Sequence, residues 1–102
     1  MVLKRDGRHE EFSRDKLLSG IKKACQKRPV SPKAMEDLVD HIVTQVADQY
    51  ENEVPGEFIG TRVMEGLRGI DDVAYVRYAS VYRRFQEATD FVHEVKKLEA
   101  QQ

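Results

Sequence analysis

Leu17, Leu18, Ile21 and Ala24 recur at helical spacing behind Ser13, a residue type that caps helices by accepting a backbone N–H, until Lys27, Arg28 and Pro29 stop the run. This predicts a helix from about Arg14 to Lys27. Ser31-Pro32 opens a second helix, because proline at the first helical position gives up no hydrogen bond. Met35, Leu38, Val39, Ile42, Val43, Val46, Ala47 and Tyr50 then form one apolar stripe, carrying this helix to about Tyr50. Glu53-Val54-Pro55-Gly56 reads as a connector. Phe58, Ile59, Val63, Met64 and Leu67 define a short third helix, closed by Gly69 as a C′ glycine. Asp71 or Asp72 caps a fourth, whose buried face is expected at Val73, Val76, Ala79, Tyr82 and Phe85, with Tyr75 and Tyr78 on its shoulders. A last helical segment covers Thr89 to about Leu98, with Phe91, Val92 and Val95 as its apolar positions.

Ahead of the helices, two short runs flank Asp6-Gly7, which reads as a hairpin with a two-residue type I′ turn, since glycine favours and aspartate tolerates positive φ. The register would place Arg5 opposite Arg8, Lys4 opposite His9, Leu3 opposite Glu10 and Met1 opposite Phe12. The expected fold is α+β and mostly helical, an N-terminal β-hairpin packed on a bundle of four to five helices. Residues 1–95 form one domain and 96–102 a frayed tail.

With 40% apolar and 34% charged residues in 102, the chain has the composition of a soluble domain with a real core. No apolar stretch approaches the roughly 20 residues of a membrane span and no signal peptide opens the chain, so a cytoplasmic location is expected. Cys25 is the single cysteine, which excludes an internal disulfide and a Cys-pair zinc site. The plain reading of Cys25 is a small apolar residue on a helix. His9, His41 and His93 are scattered without a second ligand at metal spacing. No Ser/His/Asp set or paired carboxylates stand out, so no catalytic residues are expected.

Charge is uneven. Residues 1–33 hold ten basic residues against four acidic, a balance of +6, while 34–73 hold two against ten, a balance of −8. A nearly neutral chain with a basic first third suits a focused anion site better than the broad basic face that duplex nucleic acid needs. Like charges opposed across a hairpin are destabilising, so an anion lying over the turn would relieve them, and phosphate fits. Lys4 and Arg5 of the hairpin, with Lys16 in the first turn of the next helix, are the candidate phosphate ligands, aided by that helix's amide donors and positive end. Three or four charge-assisted hydrogen bonds would support roughly micromolar binding. Gly56-Glu57-Phe58-Ile59-Gly60-Thr61-Arg62 only superficially evokes a phosphate loop, with a residue too few and arginine where lysine belongs. Glu36, Asp37 and Asp40 read as the polar face of the second helix.

Tyr75, Tyr78 and Tyr82 alternate with Arg77, Arg83 and Arg84 at helical spacing. This reads as a core helix with arginines in solvent, as a self-association surface carried by Tyr75, Tyr78, Tyr82 and Arg83, or as a base-stacking platform that would make helix 75–85 a nucleic-acid-binding module.

Val2-Leu3-Lys4-Arg5-Asp6-Gly7 with Phe12, Lys16 and Leu17 resembles the signature of the ATP-cone, a small nucleotide-sensing domain found in front of many ribonucleotide reductases. Cys25-Gln26-Lys27-Arg28-Pro29-Val30-Ser31, Glu53-Val54-Pro55, Val63-Met64-Glu65-Gly66-Leu67 and above all 72–85 resemble the cone of the NrdR family, bacterial transcriptional repressors of ribonucleotide reductase genes. The resemblance covers residues 2 to about 95. It implies that Lys4, Arg5 and Lys16 hold phosphates, that Val2, Glu10 and Ser13 surround the base and ribose, and that the start of the third helix near Gly56 and Gly60 closes the pocket. Related reductase cones often carry Thr and His where this chain has those two glycines. The resemblance further implies ATP or dATP as competing ligands, Mg2+ accompanying them, and a homo-oligomer whose size follows the occupant and governs operator binding. Those repressors contact DNA through a zinc ribbon of two Cys-x-x-Cys pairs, which this sequence does not contain. Poor DNA binding by these residues alone is therefore expected.

Overall fold

The structure, a computed structural model, describes residues 1–4 and 7–100 apart from the side chain of Phe85. The expectations placed on Arg5, Asp6 and the Phe85 side chain lie outside the described residues. Three of the four helices begin at a capping side chain that the sequence marks. Ser13 Oγ accepts the Lys16 N–H at 3.2 Å and opens α1, Arg14–Ala24. Ser31 Oγ accepts the Ala34 N–H at 3.0 Å and opens α2, Pro32–Gln49. Asp71 accepts the Ala74 N–H at 2.9 Å and opens α4, Asp72–Ala100. The remaining helix, α3, Gly56–Arg68, follows Pro55 and has no side-chain cap.

The hairpin forms, β1 being Val2–Leu3 and β2 His9–Glu10, but its register differs from the expected one by a residue. Val2 stands opposite Glu10 and Leu3 opposite His9. The Lys4 N–H donates to Arg8 O at 2.8 Å, and the Gly7 N–H to Lys4 O at 3.0 Å with Gly7 at φ +87. An Asp-Gly pair serves a longer turn with glycine at the left-handed position as readily as a two-residue one. A longer turn sets this register, and β1 carries on its other edge a third strand the sequence did not reveal. β3, Val54–Pro55, lies in the stretch expected to be a connector, and pairs in parallel with β1, giving the order β2-β1-β3. A two-residue strand has no alternation to read, and proline is tolerated there because β3 is an edge.

α1 ends three residues early, at Ala24. The chain then turns through Lys27 at φ +60, and the Arg77 guanidinium donates to Ala24 O at 3.2 Å and Gln26 O at 2.7 Å, satisfying carbonyls that the helix end leaves open. Gly69 ends α3 without the left-handed conformation expected of a C′ glycine. Its φ is −82, and its N–H donates to Gly66 O at 3.2 Å as the last turn tightens.

The fourth and last predicted helical segments are one helix. Its covered side is also rotated from the expected one: Ala74 is fully buried and Tyr75, Tyr78, Ala79 and Tyr82 half-buried, whereas Val73 and Val76 are 38% and 58% exposed. Alanine at 74 lets α4 come close to the bundle, and the tyrosines cover more area than valine while keeping a hydroxyl at the edge. The core joins Leu17, Ile21 and Ala24 of α1, Leu38, Val39 and Ile42 of α2, Val63 and Leu67 of α3, and Ala74. Arg28 clamps this end by a two-point pair to Asp71, 3.0 and 3.1 Å. Asp40 and Asp37, on the polar face of α2, pair with Arg14 and Lys33.

Candidate functional site

The register decides what the hairpin presents. Residues paired across antiparallel strands share a face, and alternate residues along a strand share it too. Val2, Lys4, Arg8 and Glu10 therefore look the same way, over a cleft of about 460 Å³. Under the expected register Glu10 would have faced away from Lys4. Instead the Glu10 carboxylate lies between two ammonium groups, 3.0 Å from Lys4 Nζ and 2.7 Å from Lys16 Nζ. Lys4 and Lys16 converge as the sequence suggested, with Glu10 as their counter-ion. The crowded charges thus have an anion within the hairpin itself, where an external one was inferred.

The hydrogen bonds from Lys16 and Lys4, with their charges, hold the Glu10 carboxyl down to about 2, against an ordinary 4.5. A carboxylate whose folded pKa is depressed contributes stability that is complete above its unfolded pKa and lost as pH falls through the folded one. The stability difference between the parent and Glu10→Gln, measured by urea unfolding, should therefore be constant above pH 4.5 and shrink as pH falls towards 2. A difference that grew with acidification would contradict the pairing.

Two helix beginnings border the same cleft. Phe12, Ser13, Lys16 and Leu17 bring the start of α1, and Gly56, Glu57, Ile59 and Gly60 the start of α3. Ser13 accepts one amide N–H of α1, while α3 begins without a side-chain cap, so the positive end of its dipole borders the cleft at Gly56 and Glu57. Val2, only 8% exposed, contributes an apolar wall. Every described residue that the family resemblance assigns to the phosphates, to the base and ribose or to the closure, namely Lys4, Lys16, Val2, Glu10, Ser13, Gly56 and Gly60, lines this one cleft.

The far wall was not foreseen. Tyr78, Tyr82, Gln86 and Thr89 of α4 complete the cleft, and Arg8 joins its cationic side. Tyr78, Tyr82, Gln86 and Thr89 recur at helical spacing along α4, a signal present in the sequence, of which only the tyrosines were read, as core or interface. Burial pushes the Tyr78 phenol up. Gly60 is the reason Tyr82 fits, since a Cβ there would meet the ring, 2.8 Å from Cζ. With Tyr75, Tyr78 and Tyr82 half-buried and Arg77 committed to the end of α1, this helix does not offer the exposed base-stacking platform considered above. The Cys25 thiol, buried and pushed up by that burial, is suited to packing rather than reactivity. Among the described residues no group of three or more His, Cys, Asp or Glu could hold a metal, and no helix is long and apolar enough to cross a membrane.

Residues 1–88 match the ATP cone domain family. The chain is also similar to proteins named transcriptional repressor NrdR: 53% identical over 98 residues to that of Desulforapulum autotrophicum, 52% to that of Pelotomaculum thermopropionicum and 50% to that of Symbiobacterium thermophilum. Each alignment covers 96% of this chain and 59%, 59% and 65% of the respective relative, so the chain spans about six-tenths of their length. A match that takes in the hairpin, both helix starts and the cleft wall up to residue 88 leaves one assignment: the chain belongs to the ATP-cone family.

Proposed function

We propose that this chain is the nucleotide-sensing part of a cytoplasmic transcriptional repressor of ribonucleotide reductase genes, binding ATP or dATP with accompanying Mg2+ in the cleft between the hairpin, α1, α3 and α4. The observation that carries this reading is the convergence of Lys4 and Lys16 beside the uncapped start of α3. Arg5 joins them in this proposal by its place in the signature. A polyphosphate meets ammonium groups and amide donors there at once, and Val2 with the Tyr78 and Tyr82 rings gives the base an apolar surface.

The occupant regulates by binding two assemblies unequally, because equal affinity shifts no equilibrium. α4 provides surface for assembly, with Val76, Val81, Phe91 and Leu98 all more than half exposed. DNA recognition falls to a zinc ribbon of the kind the family's repressors carry.

Isothermal titration tests the site. Lys4→Ala and Lys16→Ala should each weaken ATP at least tenfold, the smallest loss expected for one charge-assisted hydrogen bond. Light scattering should detect a dATP-dependent change in mass of the parent, and that change should vanish in the same variants. Variants that bind ATP as the parent does would remove the assignment.

A further inference from the structure

Resting on that reading, we propose that Glu10 is a specificity residue that sets how many phosphates a ligand must carry to be bound. Its carboxylate already occupies the place between Lys4 Nζ and Lys16 Nζ that a phosphate would take, at 3.0 and 2.7 Å. A ligand reaching those ammonium groups must loosen two charge-assisted hydrogen bonds and then sit beside a carboxylate. The Lys4 and Glu10 side chains are 29% and 40% exposed and that of Lys16 73%, so water screens the Lys4 side of that encounter less than the Lys16 side.

A single phosphate group replaces at best the two bonds it breaks, and gains like-charge repulsion from Glu10. A triphosphate brings about four negative charges spread along its length. It engages the lysines and, at the same time, Arg8 and the uncapped start of α3, which border the same cleft. The resident carboxylate thereby takes most of the gain from an anion whose only contacts are the two lysines, and less from one whose other phosphates are held at Arg8 and the start of α3 and which can leave a lysine shared with Glu10, so ligands with further contacts remain bound. This is discrimination by a repulsive element, in which the wrong ligand is rejected rather than the right one held more tightly. Glu10 also keeps both lysines gathered when the cleft holds no ligand, so little side-chain ordering is left to the binding step.

The resemblance gives Glu10 a different role, beside the base and ribose, and the two roles separate experimentally. ATP, ADP, AMP and inorganic tripolyphosphate are titrated into the parent, Glu10→Gln, Glu10→Asp and Lys4→Ala. The ratio of ATP to AMP affinity should fall at least tenfold in Glu10→Gln, tripolyphosphate should bind more tightly than to the parent, and Glu10→Asp, too short to bridge both ammonium groups, should fall between. Glu10→Asp keeps the charge, so it decides the question even if Glu10→Gln folds poorly. Equal weakening of ATP and AMP with tripolyphosphate unchanged would make Glu10 a nucleoside contact and overturn the proposal. Should Lys4→Ala weaken ATP while the ATP to AMP ratio stays fixed in both Glu10 variants, only the role of Glu10 fails. If the parent binds no nucleotide, the functional reading fails and this one with it.

Discussion

Gly60→Ala should remove most nucleotide binding while the helical bundle stays folded. The added Cβ would meet the Tyr82 ring, 2.8 Å from Cζ and 3.0 Å from Cδ2, a separation that requires something to move. Gly60 and Tyr82 both line the cleft, on α3 and α4. The ring therefore swings into the space meant for ligand, or α4 lifts from α3 and widens it. Overpacking of this kind costs roughly 1–3 kcal/mol, and a ring in the cleft costs a nucleotide at least tenfold in affinity on top. Gly56→Ala is the control, because a Cβ there finds ordinary contacts at 3.6 Å with Val2 Cγ1 and Leu3 O. Combining Gly60→Ala with Tyr82→Ala should recover stability, as coupling between touching residues predicts. Circular dichroism melts and ATP titration of the four proteins check this, and a Gly60→Ala protein that binds ATP like the parent would refute it.

The same contact shows where sequence reading reached its end. Caps at Ser13, Ser31 and Asp71 are local chemistry, decided by a side chain and an amide three residues away, and all three stand in the structure. Convergence of Lys4 and Lys16 was legible because hairpin and helix start adjoin in sequence. The hairpin register was not, since an Asp-Gly pair fits turns of more than one length, and β3, two residues within a connector, has no alternation to read. Shifting a strand by one residue turns every side chain to the other face. That shift alone moves Glu10 to the Lys4 side and changes an unpaired cationic cluster into a paired one. Periodicity likewise shows that α4 has apolar stripes but not which is covered. Packing favours Ala74, Tyr78 and Tyr82 over Val73 and Val76, so the far wall of the cleft depends on tertiary contacts.

Ile21→Ala should give the largest loss of stability. Ile21 is fully buried at the centre of α1, in the cluster that joins it to Val39, Ile42, Val63 and Leu67. Truncating a buried isoleucine loses transfer free energy and leaves a cavity, together about 2–5 kcal/mol. For a domain of this size each kcal/mol lowers Tm by about 4–8 °C, so a fall of at least 8 °C is expected, against a total stability of about 5–15 kcal/mol. Because α1 carries Lys16 five residues ahead of Ile21, and Leu17 lines both core and cleft, ligand and core are coupled. A ligand that binds only the folded state at a hundredfold excess over its Kd adds about 2.7 kcal/mol. Saturating ATP should therefore raise the Tm of Ile21→Ala by about 10 °C or more. Thermal unfolding with and without ATP measures both effects. A loss below 1 kcal/mol would show that α1 is not wedged into the core, and an unchanged Tm on adding ATP would show that the cleft α1 helps to form binds no nucleotide.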